Sequence, residues 1–506
     1  VLYETFNIIS LLEIPLLIIC EDNEISQSTK QSDNLSGSII NRVESFGIKS
    51  YLANTNEYLN LSKVSKKAIS YVRNQSKPAF IHIKTNRLRA HSKGDDTRPS
   101  DEIKKLEFED PINIFEKHDD KIYNQIKQEC VSKVELIVEE LSNENSIGIK
   151  DYLFDNNKEN NNNQNEDWKE LKSLKGDRFV NVYNKSLIEI FRNYKNAFMI
   201  GEDILSPYGG AFKVTKDLSK IYPDRVFSTP ISEHAITGLG VGMSMNGFRP
   251  FVEIMFGDFS TLIIDQIINS AVKFNKMFSN KVNCPLVIRT PMGGYRGYGP
   301  THSQTLDKLF IGIDELVVVA LNILTHPQKV LNRIMSQNKP VFLIENKTDY
   351  SKFFNDFNLK SHKLFELNDD NFPITYLKSN ENASLTIVCY GGMVSLAINV
   401  VRELFINYEI ISEIIVPTKI NSENYKEIYP IVESSKNLLI IEEGSIKSGF
   451  GVNLISELKC NDINFKSSVF GAIPVPIPSN KELENYVLPN EDSIIRHILK
   501  NYNYEG

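Results

Sequence analysis

Short apolar runs alternate with amphipathic stretches along the whole chain, which predicts an α/β protein built on parallel sheets. Two features agree. Many of the runs stop at a polar or glycine-rich turn, as in "CEDN", "GEDI", "TPMGG", "YGG" and "EEGS". The first run, "IPLLIIC" at 14–20, is apolar throughout, as a central strand covered on both faces would be.

In chain order the strand candidates are 14–20, 79–83, 197–200, 251–256, 285–289, 316–320, 340–344, 385–390 and 437–441. Helical patterns follow many of them, for example 260–278 and 393–406. Residues 141–178 contain "DNNKENNNNQNED", too polar to bury a core, and read as a flexible linker between domains. A weaker boundary is expected near 350–384, between two α/β units. The domains expected are therefore 1–140, 179–350 and 380–506, which agrees with about one domain per ~150 residues in a chain of 506.

The charge is mildly acidic, with 57 Lys+Arg against 64 Asp+Glu, so the basic face needed for nucleic acid is not expected. No apolar run reaches the ~18 residues of a membrane span, so no membrane role is expected either. The five cysteines are scattered, without metal-ligand spacing, and fit a reducing compartment: cytoplasm, or alternatively the mitochondrial matrix. The start at Val1 reads helix-then-strand with no strand before it, so the sequence is expected to be a fragment.

Ligands of parallel α/β folds bind beyond the carboxyl ends of strands, so the turns there are where chemistry is sought. "TPISEHAITGLGVGMSMNG", 229–247, places one carboxylate, Glu233, at the head of a small, apolar run. A carboxylate in such surroundings is neutralised, paired or functional. "THSQ", 301–304, follows a glycine-rich loop and sets His302 among hydroxyl and Gly residues; a surface loop histidine is the equal alternative. "RLRAHSKGDDTRP", 87–99, crowds His91 with arginines and aspartates, where a solvated charge run is the simpler local reading. "ICEDN", 19–23, offers Asp22 and Asn23 as oxygen donors for a hard cation such as Mg²⁺.

Taken together these stretches resemble a family. From about 180 onward the chain is similar to the beta subunit of the thiamine-diphosphate-dependent decarboxylating component of 2-oxo acid dehydrogenase complexes. The stretches that carry this are "IGEDILSPYGGAFKVT", "TPISE", "GFRPFVEIMFGDF", "DQIINSAVK", "HSQ", "IIEEGSIKSGFG" and "PVPIPSNKELE". Residues 1 to about 140 resemble the C-terminal part of the alpha subunit through "CEDN" and "TNRLRAHSKGDD". The order is collinear, so a fusion of alpha-type and beta-type segments is implied, joined at 141–178.

The resemblance implies thiamine-diphosphate-binding domains followed by a transketolase C-terminal-like domain, with thiamine diphosphate and Mg²⁺ as cofactors. Glu233 matches the glutamate that hydrogen-bonds N1′ of the aminopyrimidine, in a dry site that protects a carbanion from water. His302 matches a proton donor to the substrate or the lipoyl group. His91 matches a histidine near the phosphates and lipoyl entry, with Arg87 beside it, and Ser92 a serine phosphorylated in some members. Met255 and Phe259 match positions packed on the pyrimidine, and Asn23 a Mg²⁺ ligand with the carbonyl of Ile25 beside it. The implied partners are a lipoyl-bearing dihydrolipoyl acyltransferase and a second copy of the chain. Asp22 departs from the family's Asn. The family's Gly-Asp-Gly turn, a further metal ligand and diphosphate cradle, is expected just ahead of Val1. Without it, weak binding of Mg²⁺–thiamine diphosphate and an exposed strand edge are expected. Two rivals remain at this level: another thiamine-dependent enzyme of transketolase or deoxyxylulose-phosphate synthase type, and a cofactor-free structural subunit.

Overall fold

The computed structural model describes residues 1–92, 94, 96–144, 168–172, 176–367, 372–422, 425–502 and 504. The chain divides into two compact units, Val1–Asn160 and Asn161–Gly506.

The first unit is a three-stranded parallel sheet of β1 (Leu17–Asp22), β2 (Lys49–Asn54) and β3 (Ala79–Lys84), in the order β1-β3-β2. Phe6 and Ile9 of helix α1 (Leu2–Leu11) pack with Phe80 on one face, and Ala68 of helix α2 (Tyr58–Gln75) with Ala53 and Ile81 on the other. β1 is an edge strand, and its Ile19 is 56% exposed. Among the described residues only β3 pairs with β1, so one edge of the strand is open, as expected from the sequence, although the run 14–20 is apolar enough for a strand covered on both faces.

The second unit holds two sheets on one continuous core. The first comprises β5 (Ala197–Gly201), β6 (Val226–Ser228), β7 (Arg249–Glu253), β8 (Val287–Met292), β9 (Val317–Ala320) and β10 (Val341–Asn346). All are parallel, in the order β6-β5-β7-β8-β10-β9. The second has seven strands in the order β16-β15-β13-β14-β12-β11-β4. Here β13 (Leu385–Cys389), β14 (Ser412–Pro417), β15 (Asn437–Ile441) and β16 (Lys466–Phe470) are parallel. β4 (Trp168–Leu171), β11 (His362–Leu367) and β12 (Ile374–Ser379) join antiparallel, so this C-terminal sheet is mixed. A connection as short as that between β11 and β12 cannot make a parallel crossover.

These strands move two boundaries. The stretch 141–178 includes β4, paired to β11, and the end of the Asp120–Asn143 helix; its residues 145–167 and 173–175 lie outside the described residues. The supposed boundary at 350–384 holds β11 and β12, so the C-terminal sheet begins before 380. The run 260–278 is helical but broken: a 3₁₀ segment Gly257–Ile263, a π segment Gln266–Ala271 and an α turn Phe274–Met277. π segments are uncommon and concentrate at functional sites.

Candidate active site

Glu233 opens helix α3 (Glu233–Met245), with Ser232 ahead of it as the capping position. The small residues behind it set how deep the helix lies. A Cβ on Gly240 would meet Val252 Cγ2 at 2.6 Å and Leu286 Cδ1 at 2.8 Å, so glycine lets the helix seat directly on β7 and the entry to β8. Glu233 is only 8% exposed, and among the described residues its carboxylate has no hydrogen-bond partner.

Across from it stands a second acid that the sequence did not single out. Glu202 follows β5 directly and is 7% exposed. Burial pushes its carboxyl up to about 7, and the charges of Glu233 and Asp203 push in the same direction. Two carboxylates so placed ionise one after the other, which leaves one of them able to hold a proton near neutrality. The signal was present in "IGEDI", an acid at a strand end, but nothing local separates it from the Asp that follows.

The strand β7 leads through Met255 into an aromatic wall. Phe256 and Phe259 lie edge-on with centroids 5.9 Å apart. His302 packs its imidazole on both, 4.9 Å from Phe256 and 5.3 Å from Phe259. Thr301 Oγ1 lies 3.0 Å from His302 Nδ1, which leaves Nε2 as the nitrogen available to a ligand. Met255, Phe259 and His302, chosen from sequence, are thus joined by Phe256, which was not. The "GG" before the histidine loop is also explained. Gly293 has φ +99°, and a Cβ there would meet Glu443 Oε1 at 2.5 Å and Asn346 Nδ2 at 2.6 Å.

In the first unit, Asp22 ends β1 with both oxygens committed. Oδ1 accepts from Glu24 N at 3.0 Å and Gln31 Nε2 at 2.7 Å, and Oδ2 accepts from His82 Nε2 at 2.7 Å. Hydrogen bonding to His82, the Glu24 amide and Gln31 holds the carboxyl below its ordinary range despite burial. Asn23 Oδ1 accepts from Ile25 N at 3.1 Å, which brings the Asn23 amide and Ile25 backbone into one turn. Arg87 donates to the carbonyls of Ser26 and Gln27, and Arg98 Nη1 donates to the Arg87 carbonyl at 2.7 Å, lacing the 87–98 loop to that turn. His91 and Ser92 are exposed on the same loop. Among the described residues no three His, Cys, Asp or Glu side chains gather as a metal site, so a cation here would rest on amide and carbonyl oxygens. Amide and carbonyl oxygens are hard neutral donors, of the kind Mg²⁺ accepts beside its waters.

Comparison with known proteins places this architecture. Among solved structures, a transketolase from Campylobacter jejuni aligns with a TM-score of 0.62 at 15% identity, covering 98% of this chain and 74% of that one. The fold is therefore transketolase-like. Three family descriptions match in chain order: dehydrogenase E1 component over 1–145, transketolase pyrimidine binding domain over 178–352, and transketolase C-terminal domain over 376–494. Two curated relatives are the pyruvate dehydrogenase E1 component subunit beta-1, mitochondrial, of Oryza sativa subsp. japonica and subunit beta of Rickettsia bellii. The first is 31% identical over 62% of this chain and 83% of its own length, the second 30% identical over 62% and 94%. The chain belongs to the thiamine-diphosphate-dependent pyruvate dehydrogenase E1 family, with alpha-type and beta-type segments in one polypeptide. Among the described residues no helix is long and apolar enough to cross a membrane.

Proposed function

We propose that this chain decarboxylates a 2-oxo acid with thiamine diphosphate and Mg²⁺ and passes the acyl group to a lipoyl group on a partner acyltransferase. The observation that carries the reading is Glu233, a buried carboxylate without a hydrogen-bond partner among the described residues, facing Glu202 and followed in the fold by the Phe256–Phe259–His302 wall. Thiamine diphosphate, when bound, supplies the carbon nucleophile and the electron sink that this decarboxylation needs.

The chain's own residues then have distinct tasks. Glu233 would hold a proton at N1′ of the aminopyrimidine, and Met255 and Phe259 would pack on that ring and exclude water. Glu202, with its carboxyl up at about 7, would keep the neighbouring negative charge low when Glu233 is ionised. His302 would present Nε2 as proton donor on the substrate side. Asn23 and the carbonyl of Ile25 would hold Mg²⁺, while Arg87 and His91 would stand near the diphosphate and the lipoyl entry. Assembly of at least two chains belongs to the same reading.

The pyruvate dehydrogenase relatives make pyruvate the first substrate to test. Purified chain with thiamine diphosphate, Mg²⁺ and a redox dye, offered pyruvate and branched-chain 2-oxo acids, is expected to reduce the dye with one of them and to acylate free lipoamide. Ketol transfer between sugar phosphates, with no 2-oxo acid turnover, would defeat the reading in favour of a transketolase-type enzyme.

A further inference from the structure

The loop that carries His302 runs from Gly293 to Gln304, and side chains from several elements hold its backbone. Glu443, just beyond β15, accepts from Gly294 N at 2.6 Å and from Asn346 Nδ2 at 2.7 Å. Glu484 accepts from Gly297 N at 2.9 Å, and Asp258 from Gln304 Nε2 at 2.8 Å. A further anchor is Lys347, the residue after β10. It is 0% exposed, and its Nζ donates to the carbonyl of His302 itself. The same ammonium lies 5.2 Å from the centre of the Phe256 ring and 5.7 Å from that of Tyr298. One side chain therefore touches both the backbone of His302 and the ring on which its imidazole packs.

We infer that Lys347 is a positioning residue that fixes the direction in which His302 presents its imidazole. The inference rests on the reading of His302 as a site residue given under Proposed function. A lysine is seldom buried completely, because its charge leaves water at a large cost. The charged groups that face it are Asp258, Glu443 and Glu484, which favour the ammonium, and Arg296, which opposes it. Burial is the largest influence, and the lysine is brought down to about 8. The sign matters. A folded-state pKa below the ordinary lysine value means that the charged lysine destabilises the fold below about pH 8. That cost disappears as pH rises from there toward the unfolded value. An apolar side chain of similar length would fill the space at less cost, so packing alone does not account for a lysine here. What an apolar replacement cannot do is hold the His302 carbonyl.

The test uses the full chain with ¹³C-labelled histidine, and His302→Ala identifies its signal among those of the eight histidines. In the wild-type chain the His302 ring signal is expected to show a second inflection near pH 8, reporting Lys347. Lys347→Met should displace the signal and remove that inflection, and Lys347→Arg should restore the neutral-pH position. In the cofactor-loaded enzyme, Lys347→Met should lower kcat about tenfold or more, as misaligned groups do, with less than about threefold change in KM or thiamine diphosphate affinity. A folded Lys347→Met chain whose His302 signal and kcat match wild type overturns the inference. If that variant does not fold, a wild-type signal without the second inflection overturns it equally. A wild-type chain inactive toward every 2-oxo acid counts against the proposed function alone, because the histidine signal still decides the role of Lys347.

Discussion

Replacing Glu233 by Gln removes one negative charge and keeps the side chain's shape, and its consequences for fold and turnover separate cleanly. Two stability effects oppose each other. At the first turn of the Glu233–Met245 helix, attraction between carboxylate and helix dipole is worth about 0.3–1 kcal/mol and is lost. Relief of the repulsion between Glu233 and Glu202 acts the other way. The net change should stay within about 1 kcal/mol, a melting shift of no more than about 4 °C for domains of this size. Turnover should behave differently. A positioned acid–base group contributes about 10²–10⁴ to rate, so 2-oxo acid-dependent dye reduction should fall at least about 100-fold while thiamine diphosphate still binds. Glu202 gives an independent reading. Burial keeps its carboxyl raised in the variant, but the push from Glu233 disappears, so its titration should move down from about 7 in carboxyl-carbon NMR. Retention of more than about a tenth of turnover, or a Glu202 titration that does not move, would refute the assignment.

His302→Ala should cut turnover per bound cofactor while thiamine diphosphate affinity, read by calorimetric titration, stays near wild type, because the imidazole lies on the Phe256–Phe259 wall rather than against Glu233. Gly293→Ala adds a Cβ 2.5 Å from Glu443 Oε1 at a φ of +99°; it should lower the melting temperature and displace the His302 ring signal together, and normal values of both would contradict the packing described. His82→Leu leaves Asp22 Oδ2 buried without its hydrogen-bond partner while Oδ1 keeps Glu24 N and Gln31, and should destabilise the first unit by about 1–3 kcal/mol in denaturant unfolding. Glu202 and Glu442 are both raised to about 7, so each contributes stability that is complete below the unfolded carboxylate range near 4.5 and lost as pH rises to about 7. Glu442→Gln should therefore flatten the fall in unfolding free energy between pH 5 and 7.5, measured by guanidinium titration at about five pH values.

How far the sequence could be read follows from what each strand has to bury. The runs at 316–320, 340–344 and 437–441 are strands with both faces covered, and an unbroken apolar stretch leaves little alternative. β11 and β12 carry a buried Glu366, paired to Lys329, and the alternating polar residues of "HKLFEL" and "ITYLKS", so they look like boundary sequence rather than sheet. β4 is hidden for another reason: four residues gain their identity as a strand only by pairing with β11, nearly two hundred positions away. The burial of Glu233 was legible because it stands among small and apolar residues. Lys347 was not, because "ENKT" has the composition of any solvated turn and only the fold reveals that its lysine is buried under His302.

The small residues behind Glu233 set the geometry of the helix that it heads. Gly240 lets the Glu233–Met245 helix touch Val252 and Leu286, and so fixes the distance of that helix from β7. Val252 is followed on the same strand by Glu253, and then by the Ile254–Met255–Phe256 segment that builds the aromatic wall. The helix thus packs both on β7 and on the Gly257–Ile263 segment that continues from it and carries Phe259. Glu253 continues the registration inward. It pairs with Arg289 of β8, which also holds Glu345 of β10, and that buried group ties together the strands whose ends bear Met255, Gly293 and Lys347. A buried ion group of this kind adds little net stability, since desolvation offsets most of its attraction. Its effect is on geometry: three strands cannot slide past one another without leaving a charge unpaired. The seat of the helix on β7 and the Glu253–Arg289–Glu345 group thus fix, by packing and by buried charge, the strand ends from which Met255, Gly293 and Lys347 follow.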